Sequence, residues 1–190
     1  MRGVKLAYIG GGSLFVPSII NGIGQVIARA AEPFEVELSL YDVDPAKAQR
    51  MQAYGEVVQK AWHVPLTARA VGTRDEALAA ADVVFVSVWL REEHERLRSL
   101  EEGLGFRLAE EGPGVAGWAL ACAPWSLEVA TDMRAHCPQA LFVTLMNPTD
   151  VIAGIVGKAG GVQAAGLCVE VDGPRGALAY TFRVHTRRSS

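Results

Sequence analysis

The first seventeen residues, read together with one aspartate further on, constrain this chain more than anything else in it. Val4-Lys5-Leu6-Ala7-Tyr8-Ile9 is a short, largely apolar run that reads as a buried strand, and it breaks abruptly into Gly10-Gly11-Gly12-Ser13. A helical spacing of apolar residues follows at Phe15, Ile19, Ile20 and Ile23. Pro17 falls in the first turn of that helix, where a missing N–H removes no partner. Val36 to Tyr41 reads as a second strand and ends at Asp42. Strand, glycine turn, helix, strand and acidic residue is the layout of a βαβ unit that binds a dinucleotide. Each part has a physical task. Gly10 permits the sharp turn, and Gly12 permits backbone to approach a pyrophosphate. The helix N-terminus then offers unpaired N–H groups and a partial positive charge, with Ser13 and Leu14 opening it. Asp42 would accept hydrogen bonds from an adenosine ribose, which favours NAD over NADP because a 2′-phosphate would meet a carboxylate. The third glycine of the usual pattern is replaced by Phe15, and the plainer alternative is an ordinary turn between strand and helix. Asp44 is a second candidate for the ribose contact, but Asp44-Pro45 reads better as the cap of the next helix.

Composition narrows the partners. At 190 residues, half of them hydrophobic, the chain can bury one good core. A net charge of −3 without any basic run argues against nucleic acid. Arg183, Arg187 and Arg188 cluster near the C-terminus and read as a solvated tail. No apolar stretch approaches the length needed to span a bilayer, and Met1-Arg2-Gly3 leads straight into a strand, which leaves no room for a signal peptide. Three scattered cysteines do not make a disulfide framework, so reduced thiols in a cytoplasmic protein are the expectation.

Apolar runs alternate with helical patterns through the rest of the chain. Helix is expected over 46–61, strand over 66–71, and a short helix over 73–80 with a capping-box pattern at Thr73 and Glu76. Asp82 to Val88 is almost wholly apolar, as a strand covered on both faces should be. The segment Trp89 to Gly114, charged and then glycine-rich, reads as irregular. A long helix is expected over 118–136, a fifth strand over 141–146, a helix over 150–158 and a sixth strand over 164–169. Six strands joined by crossovers predict an α/β, Rossmann-like, doubly wound parallel sheet in the order 3-2-1-4-5-6, with helices on both faces. The domain is expected to run over 1–170, leaving 171–190 as an irregular tail or the start of a substrate domain.

Such sheets bind ligands at the carboxyl ends of their strands, near the point where strand order reverses. The residues there are Gly10 to Ser13, Asp42, Ser87 to Leu90, Asn147 and Cys168. Asn147 can hydrogen-bond a nicotinamide ribose or a substrate hydroxyl, or simply make the Asn147-Pro148 turn. Cys168 ends the last strand, where a lone cysteine is commonly a small core residue. Cys122 and Cys137 read as packing. Gly112-Pro113-Gly114 reads as a tight turn opening the following helix.

In order, the segments KLAYIGGGSLFVP (5–17), LSLYDVD (38–44), ALAAADVVFVSV (77–88), EEGPG (110–114), CPQALFVTLMNPTDVI (137–152) and GLC (166–168) resemble the N-terminal half of family 4 glycoside hydrolases. These are NAD- and metal-dependent α-glucosidases, α-galactosidases and 6-phosphoglycosidases. Lactate and malate dehydrogenases share the general plan, but GGGS followed by a proline, and the late GLC, point to the glycosidases. The resemblance implies a hydrolysis unlike the two-carboxylate scheme. NAD takes a hydride from C3 of the sugar, and the ketone acidifies the C2 proton. A divalent metal, usually manganese, held by a cysteine and a histidine, polarises the C2 and C3 oxygens, and a tyrosine base removes that proton. The glycosidic bond breaks by elimination, water adds and the hydride returns. Carried onto this sequence, Gly10, Gly12, Ser13 and Asp42 match the NAD site and Asn147 a polar residue near the cofactor, while Leu14 in the turn and Ser87 at the end of the fourth strand are further cofactor-binding candidates. Asn147 also matches a residue near the sugar, and Cys168 the metal cysteine.

Several positions depart from the family pattern. Leu108-Ala109-Glu110-Glu111 stands where a Gln-Glu-Thr loop is usual, Thr144 replaces an asparagine and Met146 a threonine, and an arginine near Ala121 or Cys122 is missing. His185 is the sole histidine after Cys168 and stands in the wrong context to be its partner. The general base is expected outside this chain. The function expected on this resemblance is a glucosidase-type hydrolase, incomplete and inactive as this chain alone, acting on a small sugar or sugar phosphate and self-associating. The alternatives are a non-catalytic NAD-binding module or remnant and, behind it, a lactate- or malate-type dehydrogenase.

Overall fold

The computed structural model describes residues 2–105 and 114–168. Its strands are β1 (Arg2–Ile9), β2 (Phe34–Tyr41), β3 (Leu66–Ala70), β4 (Val83–Val86), β5 (Leu141–Thr144) and β6 (Gln163–Gly166). Between them run α1 (Val16–Arg29), α2 (Pro45–Trp62), α3 (Arg74–Leu78), α4 (Arg91–Leu104), α5 (Gly114–His136) and α6 (Thr149–Ile155), the last continued by a wide turn over Val156–Gly160. The sheet is parallel throughout and ordered β3-β2-β1-β4-β5-β6, as the sequence predicts.

Strand alternation divides the interior into two cores. Leu6 and Tyr8 of β1, with Leu38 and Leu40 of β2 and Leu66 of β3, face Val16, Ile20 and Ile27 of α1 and Val58 of α2. Ala7 and Ile9, with Val84, Val86 and Phe142, face the opposite side, where Val129 and Met133 of α5, Leu78 of α3 and Ile152 of α6 close over them. A fully buried Leu, Ile or Phe stabilises the fold by roughly 1.5–3 kcal/mol, so these two layers supply the main driving force. Small residues set the spacing of the layers. A Cβ on Gly55 of α2 would stand 2.5 Å from the Cβ of Ala68 in β3, and one on Gly160 would stand 2.8 Å from the Cβ of Ala130 in α5.

Helix starts follow local chemistry. Asp44 caps α2 by accepting from the Ala46 N–H (3.1 Å). Thr73 and Glu76 form the expected reciprocal capping box on α3. The fourth and fifth strands stop two residues short of their expected ends, at Val86 and Thr144, and α5 starts at Gly114, four residues early. The charged stretch after Trp89, which reads as irregular in sequence, contains the fourteen-residue helix α4, whose buried contact is the single residue Leu97. Too few apolar residues stood in it to show a helical period. Phe15, counted with the helix's apolar face, lies just before α1 and is 40% exposed. Val16 and Ile20 take the buried positions in its place. Residues 106–113, including Leu108 to Glu111 and the Gly112-Pro113 pair, lie outside the described residues, as do the 171–190 tail and His185.

Candidate functional site

The glycine turn is built by the strands beneath it. Tyr41, the last residue of β2, accepts from both the Gly10 N–H (2.9 Å) and the Gly11 N–H (2.8 Å), so the chain leaving β1 folds over the end of β2. Gly10 lies at φ +89°, and a Cβ there would fall 2.1 Å from the carbonyl oxygen of Ser87. Both conformation and space demand glycine. Gly12 is covered by Lys47 of α2, whose Cβ would be 2.3 Å from an added Cβ.

Asp42 closes this turn. It accepts from the Gly12 N–H at Oδ2 (2.8 Å) and from the Asp44 N–H at Oδ1 (2.9 Å). Each oxygen of a carboxylate has two lone pairs, so one acceptor position per oxygen is left for a ribose hydroxyl. The aspartate thus sits where the sequence places it, with a second task as the latch of the loop. Asp44 is a cap, as its local sequence implies.

Helix α1 begins without a side-chain cap, in contrast to α2 and α3. Its entry is lined by Ser13 and the exposed Leu14. Ser13 and Ser87 share a hydrogen bond between their hydroxyls (2.8 Å), which ties the turn of β1 to the segment leaving β4. This junction is the point at which strand order reverses. Beneath it lies the buried Tyr8 hydroxyl, which has the Ser87 and Ser13 hydroxyls beside it but no well-aligned hydrogen bond to either. Burial raises the Tyr8 pKa, and the hydroxyls of Ser87 and Ser13 counter part of that rise.

Further along the carboxyl edge the picture is mixed. Asn147 is exposed beyond β5, and the Asn147-Pro148 bond is cis. The Thr144 hydroxyl is buried and accepts from the Met146 N–H (3.0 Å), and Met146 packs in the core. Neither faces solvent, so these two departures from the family pattern fill core instead of lining a crevice. Cys168 is exposed two residues beyond β6, which stops at Gly166 instead of running to 169. Among the described residues, no three His, Cys, Asp or Glu side chains gather where they could hold a metal ion. Cys168 is a donor of the right chemistry, but the described donor set does not fit a complete metal centre. Cys122 and Cys137 are buried packing residues. Burial and then Glu93 push the Cys122 thiol up to about 11, and burial also raises Cys137.

One cluster was not anticipated. Trp89, three residues past β4, stacks on His94 of α4 with ring centroids 3.4 Å apart, and His94 in turn meets Trp118 of α5 at 4.4 Å. No local motif marks these residues, because three separate elements bring them together. At the opposite, amino end of the sheet, a groove of about 580 Å³ is lined by Lys5, Glu37, Thr67, Arg69 and Asp82. Open parallel sheets bind ligands at the other end, and the glycine turn is there too, so this groove is not the site.

Sheet order, glycine turn and acidic residue together define a doubly wound α/β protein of the dinucleotide-binding type. Within that class the chain belongs to family 4 of the glycosyl hydrolases, whose sequence model matches residues 5–183. An α-galacturonidase from Bacillus subtilis is 29% identical over 184 residues, covering 93% of this chain and 39% of that protein. A 6-phospho-α-glucosidase from Lacticaseibacillus paracasei is 28% identical over 159 residues, covering 80% of this chain and 34% of that one. Among solved structures, the 6-phospho-β-glucosidase of Thermotoga maritima with manganese, NAD⁺ and glucose-6-phosphate superposes with a TM-score of 0.73. That pair is 22% identical, and the match covers 96% of this chain and 44% of the other. The chain thus spans about two fifths of the length of these relatives. Family membership replaces the lactate- or malate-type dehydrogenase reading.

Proposed function

We propose that this chain is the NAD-binding part of a family 4 glycosidase acting on a small sugar or sugar phosphate. The observation that carries the reading is the left-handed Gly10 turn held against Ser87 at the β1–β4 junction. Residues 1–170 form the cofactor domain in this proposal, and 171–190 the tail or the start of a substrate domain. The uncapped start of α1 would hold the pyrophosphate through the Leu14 amide and the Ser13 hydroxyl. Asp42 would accept from the ribose hydroxyls with its remaining lone pairs. Ser87 and Asn147 would orient the nicotinamide end, and Asn147 would also reach a sugar hydroxyl. Bound there, NAD supplies reversible hydride acceptance from the sugar. The protein's share is to fix the distance between cofactor and ring, since loose positioning costs rate steeply.

Cys168 is proposed as one ligand of a divalent metal, with Mn²⁺ favoured. The general base lies outside this chain. A non-catalytic NAD-binding module is the second reading, favoured by the incomplete donor set around Cys168 among the described residues. Self-association through exposed apolar residues near the last strands, Leu167 among them, belongs to the first reading, and sedimentation over a range of concentrations checks it. A reducing, cytoplasmic setting accords with three cysteines outside any disulfide.

Calorimetric titration with NAD, and then with Mn²⁺ in its presence, tests the proposal. The expected result is NAD binding at micromolar concentration, weakened in Asp42→Ala, with Mn²⁺ binding lost in Cys168→Ser. NAD binding without metal binding selects the non-catalytic module. Absence of NAD binding removes both readings.

A further inference from the structure

The Trp89–His94–Trp118 pile stands apart from the contacts assigned above to the dinucleotide, and its construction is unusual for a packing contact. Trp89 is 65% exposed although tryptophan is among the side chains that gain most from burial. Its ring is nonetheless held in place. His94 covers it at 3.4 Å with 32° between the planes, and Trp118 backs His94 at 57°. The imidazole is itself fixed, because His94 Nδ1 lies 2.6 Å from the Leu90 carbonyl oxygen. A carbonyl only accepts, so Nδ1 carries the proton and donates. A large aromatic ring is therefore oriented from behind by two others and left open to solvent.

Position narrows the occupant. Trp89 lies two residues beyond Ser87, whose hydroxyl is bonded to Ser13 of the glycine turn. The platform starts where the proposed cofactor site ends, on the carboxyl side of the sheet. The indole face carries negative quadrupolar charge. A pyranose ring presents one face of C–H groups polarised by their oxygens, with hydroxyls at its rim, and such C–H groups are attracted to an electron-rich face. We infer that Trp89, propped by His94 and Trp118, is a stacking platform for the C–H face of a pyranose ring of the substrate. This inference rests on the glycosidase reading above.

The test uses the full chain labelled with 5-fluorotryptophan, in which Trp62, Trp89, Trp118 and Trp125 each give one fluorine resonance. It is titrated separately with glucose 6-phosphate, galacturonate, inorganic phosphate and NAD. The expected result is a shift of the Trp89 resonance by at least one of the two sugars and by neither phosphate nor NAD. Trp89→Ala should weaken that sugar's binding by about tenfold or more, a change of about 1.4 kcal/mol, and Trp89→Phe, which keeps an aromatic face, by about threefold or less. A Trp89 resonance unmoved by both sugars overturns the proposal, whatever the fate of the variants. So does a shift produced by NAD alone, which makes nicotinamide the occupant, or by phosphate alone, which makes the effect ionic. Sugar binding undiminished in Trp89→Ala overturns it as well. If NAD fails to bind while a sugar still moves Trp89, the cofactor reading falls and the platform stands.

Discussion

Gly10 and Gly22 stand in the same βα unit and answer to opposite physics. Gly10 adopts a left-handed conformation with the Ser87 carbonyl oxygen 2.1 Å from the place of a Cβ, while Gly22 in α1 has nothing within 4 Å. Gly10→Ala should cost about 3 kcal/mol or more in urea unfolding, the sum of roughly 1–2 kcal/mol for the left-handed backbone and the displacement of β4's exit. Gly22→Ala should gain about 0.5–1 kcal/mol, because alanine gives up less chain entropy in a helix. A second residue-scale prediction concerns Cys122. Its folded pKa of about 11 exceeds the reference value of 9.0, so the unfolded chain loses this proton first. The stabilisation is full below pH 9 and disappears as pH rises through about 11, on the order of 2 kcal/mol in all. Urea midpoints measured from pH 8 to 10.5 should fall less steeply in Cys122→Ala than in the native chain. An unchanged slope would show that the thiol does not drive that loss. The glycine turn, Asp42 and the fate of Cys122 were legible in sequence because each depends on chemistry within a few residues of a strand end. The buried Thr144 and Met146 were not, since only packing decides which way a residue past a strand end turns.

At the scale of elements, α3 shows how far a short helix depends on its ends. It has five residues, and its capping box satisfies amides that a helix of this length leaves unpaired. It is also tied to α5 by the ion pair of Arg74 with Asp132. Thr73→Ala should destabilise the chain by about 1 kcal/mol. Glu76→Ala should cost about as much, and the double variant less than the sum, because the two caps are reciprocal. Thermal melts of the three variants check this, and simple additivity would argue against the box. Helix α3 was readable because Thr73 and Glu76 carry a local signature. Helix α4 was not, because ten of its fourteen residues from Arg91 are charged or polar in a stretch with one buried contact. Its place is given by α5, against which His94 and Glu93 lie.

For the whole molecule, ligand binding and stability are linked. If NAD binds the folded chain alone, NAD at about a hundred times its dissociation constant should add about 2.7 kcal/mol, which raises the melting temperature of a chain this size by about 5–10 °C. NADP at the same concentration should raise it less, because its 2′-phosphate would approach the Asp42 carboxylate. Equal shifts would remove Asp42 from the ribose site. The order β3-β2-β1-β4-β5-β6 was determined by the sequence itself, since apolar runs separated by crossover helices leave few chain paths that keep each crossover right-handed. So was the placing of glycines and Asp42 at the ends of β1 and β2. Only the tertiary structure decided that Asp42 also latches the turn through the Gly12 amide, and that Trp89, His94 and Trp118 form one pile. Those contacts join residues from separate elements, and their geometry exists only after the layers have packed.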